Sequence, residues 1–158
     1  MRVGRPVPLA PQPVCDYCGV KAELVRLGDV PYPYGDDHGP IWICTPCQAW
    51  IGVYSRSARN VPLGRLANVE LREWKAKLYS ALEPMAQAKV RRDGGSIFSA
   101  RAKGYKWLAG LLKIDEVRCS MHLLDAEQCK AAVATIAEYE ATRRIARESG
   151  HVASELDE

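Results

Sequence analysis

Cys15-Asp16-Tyr17-Cys18-Gly19 and Cys44-Thr45-Pro46-Cys47 are the two stretches from which the fold is read. Each is a Cys-x-x-Cys pair, and 25 residues separate Cys18 from Cys44. A two-residue spacer lets the backbone curl until both sulfurs face one ion, and two such pairs supply the four thiolates of a closed tetrahedral zinc site. Gly19, directly after the first pair, permits the tight turn of a zinc knuckle. A hydrolytic zinc keeps a position open beside three protein ligands, whereas four cysteines fill the tetrahedron. The spacing therefore points to a structural zinc on Cys15, Cys18, Cys44 and Cys47.

The segments around the pairs set the architecture. Val20 to Leu27 alternates as a strand does, residues 31–40 are a turn-rich loop, and Ile41-Trp42-Ile43 leads as a short strand into the second knuckle. Trp50-Ile51-Gly52-Val53-Tyr54 reads as a further strand, which makes a zinc ribbon; Thr45-Pro46 as a helix start would instead make a treble clef. From Leu66 the pattern becomes helical, with Ala67, Leu71, Trp74, Leu78 and Leu82 on one face, Asn68 as cap and Pro84 as a stop or kink. Residues 91–95, Arg-Arg-Asp-Gly-Gly, read as a flexible loop. A second helix is expected over 97–112, with Phe98, Ala102, Tyr105, Leu108, Ala109 and Leu112 inward. A third opens on Asp125-Ala126-Glu127-Gln128, a capping-box-like start, and runs through Cys129, Val133 and Ile136 to Arg143-Arg144. The expected fold is α+β: an extended arm at 1–13, a four-cysteine zinc ribbon of short antiparallel strands at 14–65, a small helical bundle at 66–148 and a flexible tail at 149–158.

Composition narrows the function classes. The chain has 158 residues, 47% apolar and 26% charged, which is globular usage and excludes collagen-like and low-complexity readings. No apolar run approaches the ~20 residues of a membrane helix. The first residues lack the apolar core of a secretory signal, so the expectation is a cytoplasmic protein with reduced thiols. Charge is divided unevenly. Residues 56–106 carry twelve basic and four acidic side chains, net +8, while the remainder nets −5. A clustered basic footprint is an electrostatic mark of nucleic-acid binding, although Lys and Arg also decorate ordinary solvated helices. Trp42 and Trp50 read as ribbon core rather than base-stacking platforms.

Other motifs carry less. Asp37-His38 near a Cys-x-x-Cys resembles part of a His-Asn-His nuclease site, but His122 and His151, the other two histidines, lie far along the chain. Cys119, His122 and Cys129 supply three scattered ligands for a second metal without a fourth, a pattern commoner for core thiols and a surface histidine.

Taken together, the residues resemble a phage- and prophage-encoded zinc-finger family of unassigned function, over about residues 14–135. The resemblance rests on Cys15-x-x-Cys18-Gly19, Cys44-x-x-Cys47-x-Ala49-x-Ile51-Gly52-Val53 and Pro62-Leu63-Gly64-x-Leu66-Ala67-Asn68 leading into Leu71-Arg72. It continues through Tyr105-x-Trp107-Leu108-Ala109, Cys119 and Asp125-x-Glu127-Gln128-Cys129. It implies zinc on the four N-terminal cysteines, a helical C-terminal half and, if phage-encoded, a place in the host cytoplasm. Similar proteins place a histidine directly after the cysteine corresponding to Cys119; here Ser120 follows.

Three functional readings result. The first is a non-catalytic nucleic-acid-binding accessory protein, with Arg56, Arg59, Arg65, Arg72 and Lys75 on phosphates and Tyr54 or Tyr34 stacking on bases. The second is a protein-interaction module, a phage inhibitor or adaptor of a host enzyme. The third is a nuclease using His38.

Overall fold

The computed structural model describes residues 12–156, so most of the expected N-terminal arm, residues 1–11, lies outside the described residues. The fold is α+β, with three antiparallel strands followed by three helices. The chain forms two compact units, one ending at Glu70 and one beginning at Leu71. No helix among the described residues is long and apolar enough to cross a membrane.

The first unit is a meander of β1 (Glu23–Val25), β2 (Ile41–Cys44) and β3 (Ala49–Gly52) in the order β1-β2-β3. Its register pairs Leu24 with Trp42, Trp42 with Ile51, and Cys44 with Ala49. The uninterrupted apolar run Ile41-Trp42-Ile43-Cys44 is explained by burial on both faces of β2. Trp42, Cys44, Ala49, Ile51 and Leu66 form one cluster, while Val25, Ile41 and Ile43 form another with Tyr32 and Trp50 against it. The third strand after Cys47 makes this a ribbon rather than a treble clef.

The helical period read from Leu66 begins in the ribbon, and the helix itself starts directly after Asn68, the expected cap. Ala67 is held by the ribbon, its amide donating to the Trp50 carbonyl at 2.9 Å and its carbonyl accepting from the Trp50 amide at 3.1 Å. Helix α1 accordingly begins one residue after Asn68 and spans Val69–Asp93.

In the second unit α1 continues past Pro84 rather than stopping there, and takes in three residues of the expected 91–95 loop. An interior proline costs about 3 kcal/mol through a lost hydrogen bond and a clash with the preceding turn. Here Pro84 is exposed, while Leu82 and Ala86 on either side of it are buried, and that packing offsets the local cost.

Helix α2 (Ile97–Leu112) opens on Ser96, whose hydroxyl accepts the Ser99 amide at 3.1 Å. Its inward face differs from the expected one: Phe98 is 75% exposed and Ala102 is exposed, whereas Ala100, Leu108 and Ala109 are buried. Gly104 rotates the contact. A Cβ there would sit 3.4 Å from Leu82 Cδ2, so the glycine lets α1 approach along the Ala100-Gly104-Leu108 row.

Helix α3 (Ala126–Leu156) has a reciprocal capping box at its start. The Gln128 amide donates to Asp125 Oδ1 at 2.8 Å, and the Asp125 amide donates to Gln128 Oε1 at 3.0 Å. The helix continues through the expected tail as far as Leu156; residues 157–158 lie outside the described residues.

Candidate metal centre

The first knuckle is a tight turn. Val14 bridges Lys21, the Cys15 amide donates to the Val20 carbonyl at 2.8 Å, and the Gly19 amide returns to the Cys15 carbonyl at 2.8 Å. Closing it puts Gly19 at φ +77°, in the left-handed region where a side chain costs about 1–2 kcal/mol. The second knuckle is the β2–β3 connection. Gln48 follows Cys47 as Gly19 follows Cys18, and it too is left-handed, at φ 49°. Its amide donates to the Thr45 carbonyl at 3.1 Å and its side-chain Nε2 to the same oxygen at 2.7 Å. Sequence reading passed over Gln48 because it carries no glycine signal; its place immediately after the second pair was the available clue.

These turns bring four sulfurs together. The Sγ atoms of Cys15, Cys18, Cys44 and Cys47 all lie within 4.8 Å of one another, with Cys18 and Cys44 3.5 Å apart. A tetrahedron with zinc–sulfur bonds of about 2.3 Å has edges of about 3.8 Å, so this spread matches a shared metal. It is far from the ~2.05 Å of a disulfide.

Without metal, four crowded thiols cannot all ionise. The Cys47 thiol is pushed up to about 12, first by its hydrogen bond with the Cys18 sulfur and then by desolvation. Burial raises Cys44, against a lowering hydrogen bond from the Cys47 amide. Cys18 is lowered, chiefly by the Val20 amide donating to its sulfur. A divalent cation inverts this balance by holding all four as thiolates.

The comparison with known proteins agrees with this chemistry: the model of a family described as a zinc-finger-containing domain matches residues 12–139. The chain belongs to that family. No curated protein and no solved structure matches it significantly. This zinc-finger chain binds zinc, and among the described residues the four-cysteine cluster is the one group of three or more metal-ligating side chains.

Cys119 and Cys129, by contrast, are buried thiols of the helical unit. Burial raises both, Cys129 to about 11. His122 is half-buried, and its imidazole pKa is held down by burial and then by Lys75. The Tyr32 hydroxyl accepts the His38 amide at 2.8 Å and donates to the Gly39 carbonyl at 2.8 Å, while Asp37 Oδ1 accepts the Gly39 amide. The His38 ring lies on Tyr34, with centroids 4.3 Å apart, and the Tyr34 hydroxyl accepts the Trp50 indole N–H at 3.1 Å.

The basic candidates are dispersed. Arg56 and Arg59 are exposed on the turn after β3, beside Tyr54, which is 53% exposed. Arg65 is engaged with Asp16 of the first knuckle at 3.1 Å. The neighbouring Tyr17 hydroxyl accepts the Asn68 amide at 3.3 Å and donates to the Leu66 carbonyl at 3.4 Å. Arg72 and Lys75 lie half-buried on α1 in the second unit, and Lys75 is near enough to His122 and Cys129 to bias both.

The two knuckles predict different responses. Gly19→Ala meets no atom within 4 Å, so its cost is backbone strain alone, about 1–2 kcal/mol. Zinc affinity, read by competition with a chromophoric chelator, is expected to fall about fivefold to thirtyfold. Gln48→Gly relieves the same strain in the second knuckle, and no weakening is expected.

Proposed function

We propose that this zinc-finger protein is a non-catalytic, phage-type accessory protein that binds nucleic acid in the host cytoplasm. The observation that supports the reading best is the loop after β3. Two consecutive turns close through Ser57 N–H to Tyr54 carbonyl at 3.1 Å and Asn60 N–H to Ser57 carbonyl at 3.2 Å. The Trp42 indole N–H donates to the Asn60 carbonyl at 2.8 Å, which ties the loop to the sheet that carries Cys44. Zinc thereby supports a compact platform on which an aromatic ring, Tyr54, and two guanidinium groups, Arg56 and Arg59, face solvent together. Such a set fits a single-stranded segment, with a base on the ring and adjacent phosphates on the arginines. Arg65 is partly neutralised by Asp16, so Arg56 and Arg59 are the primary phosphate contacts in this reading.

The test is a salt titration of labelled single-stranded DNA and RNA binding to the zinc-loaded protein. Removing two phosphate contacts with Arg56→Ala/Arg59→Ala should flatten the slope of log K on log salt by about 1.4, the value for single strands, and weaken all sequences alike. Tyr54→Ala should weaken binding by about 1–3 kcal/mol with little change in slope. Unchanged affinity and slope in the arginine variant would refute the reading and favour an acidic protein partner at the same loop.

A further inference from the structure

The helical unit contains a cleft that the zinc site and the arginine loop do not use. Its volume is about 650 Å³, inside the range of about 300–1,000 Å³ typical of small-molecule sites. Small residues leave room in it, since Ala86 on α1 and Ala100 and Gly104 on α2 stand in its lining where larger side chains would take up space. Its apolar walls include Met85, Met121 and the edge-to-face pair Trp107–Tyr139, with ring centroids 4.9 Å apart.

The charge of its lining makes it more than a packing gap. Lys89, Arg92, Arg101, Lys103 and Arg143 line the cleft against a single lining carboxylate, Glu83. Glu83 is paired with Arg101, and Asp93 pairs with Lys89 and Arg92. The set retains a net +3, with Lys103 and Arg143 making none of these ion pairs.

We propose that this cleft is a binding site for a small amphipathic organic anion. The apolar or aromatic body lies against Trp107 and Tyr139, and the acidic group meets Lys103 and Arg143. The site is independent of the nucleic-acid reading, whose primary contacts, Tyr54, Arg56 and Arg59, lie in the other unit.

The probe is anilinonaphthalenesulfonate, titrated into the full zinc-loaded chain by fluorescence, with neutral N-phenylnaphthylamine as the comparison. Saturable one-to-one binding is expected, with the neutral probe about tenfold weaker for want of a charge-assisted contact. Lys103→Ser/Arg143→Ser, at two positions outside the buried core, should remove that preference. The proposal is overturned by absence of saturable binding, by equal affinity for both probes, or by displacement of the sulfonate by oligonucleotide but not by decanoate.

Discussion

Cys44→Ser is expected to reduce zinc from one ion per chain to nearly none and to unfold the ribbon while the three helices largely persist. Structural zinc contributes on the order of 10–16 kcal/mol at neutral pH, more than a small three-stranded sheet gains from its own packing. Cys44 sits at the end of β2, in register with Ala49, so losing its ligation also loosens the strand pair. Elemental analysis reads the metal, and circular dichroism with tryptophan fluorescence separates loss of the ribbon from survival of the helices. Retention of full zinc content would contradict the ligand set. The same chemistry fixes a pH dependence. The Cys44 and Cys47 thiols are both raised and so protonated at neutral pH in the free protein. Zinc displaces those protons, so affinity falls as pH falls, by up to about tenfold per displaced proton for each pH unit.

Trp42→Ala is expected to cost about 3–5 kcal/mol, the usual range for removing a buried aromatic side chain. The residue is only 8% exposed, belongs to the same cluster as Cys15 and Cys44, and anchors Asn60 through its indole. The variant should therefore bind zinc more weakly and, in the proposed function, lose nucleic-acid affinity although no arginine has been touched. Trp42→Phe keeps most of the apolar volume but strands the Asn60 carbonyl. It should cost less, about 1–3 kcal/mol, if that carbonyl stays buried. Chemical denaturation of the zinc-loaded protein measures both; equal stability of Trp42→Ala and wild type would show that the ribbon core does not depend on this side chain.

The metal centre was legible in the sequence because its ligands are paired locally: two residues between cysteines determine where the sulfurs converge. Short-range signals read well elsewhere too, as in α2 at Ile97–Leu112 and the Asp125–Gln128 capping box. Features set by packing between distant segments did not. Ala67 followed a helical period but was captured by Trp50, and Pro84 read as a stop or kink, yet α1 continues past it between buried Leu82 and Ala86. Phe98 shared a helix face with Leu108 on paper, yet the close approach at Gly104 turned it to solvent. The basic segment at 56–106 was evident as a sum. Its division between an exposed loop, a pair with Asp16 and the lining of a cleft required three dimensions.

The central claim is that Cys15, Cys18, Cys44 and Cys47 close one tetrahedral zinc site on which the ribbon and its arginine loop depend. X-ray absorption at the zinc edge of the purified chain tests it most directly. A single shell of four sulfurs at about 2.3 Å with no nitrogen or oxygen neighbour is expected. A shell of two or three sulfurs completed by nitrogen or oxygen at about 2.0–2.1 Å would contradict it, since the metal would then have an open or histidine-held position that this cluster does not provide.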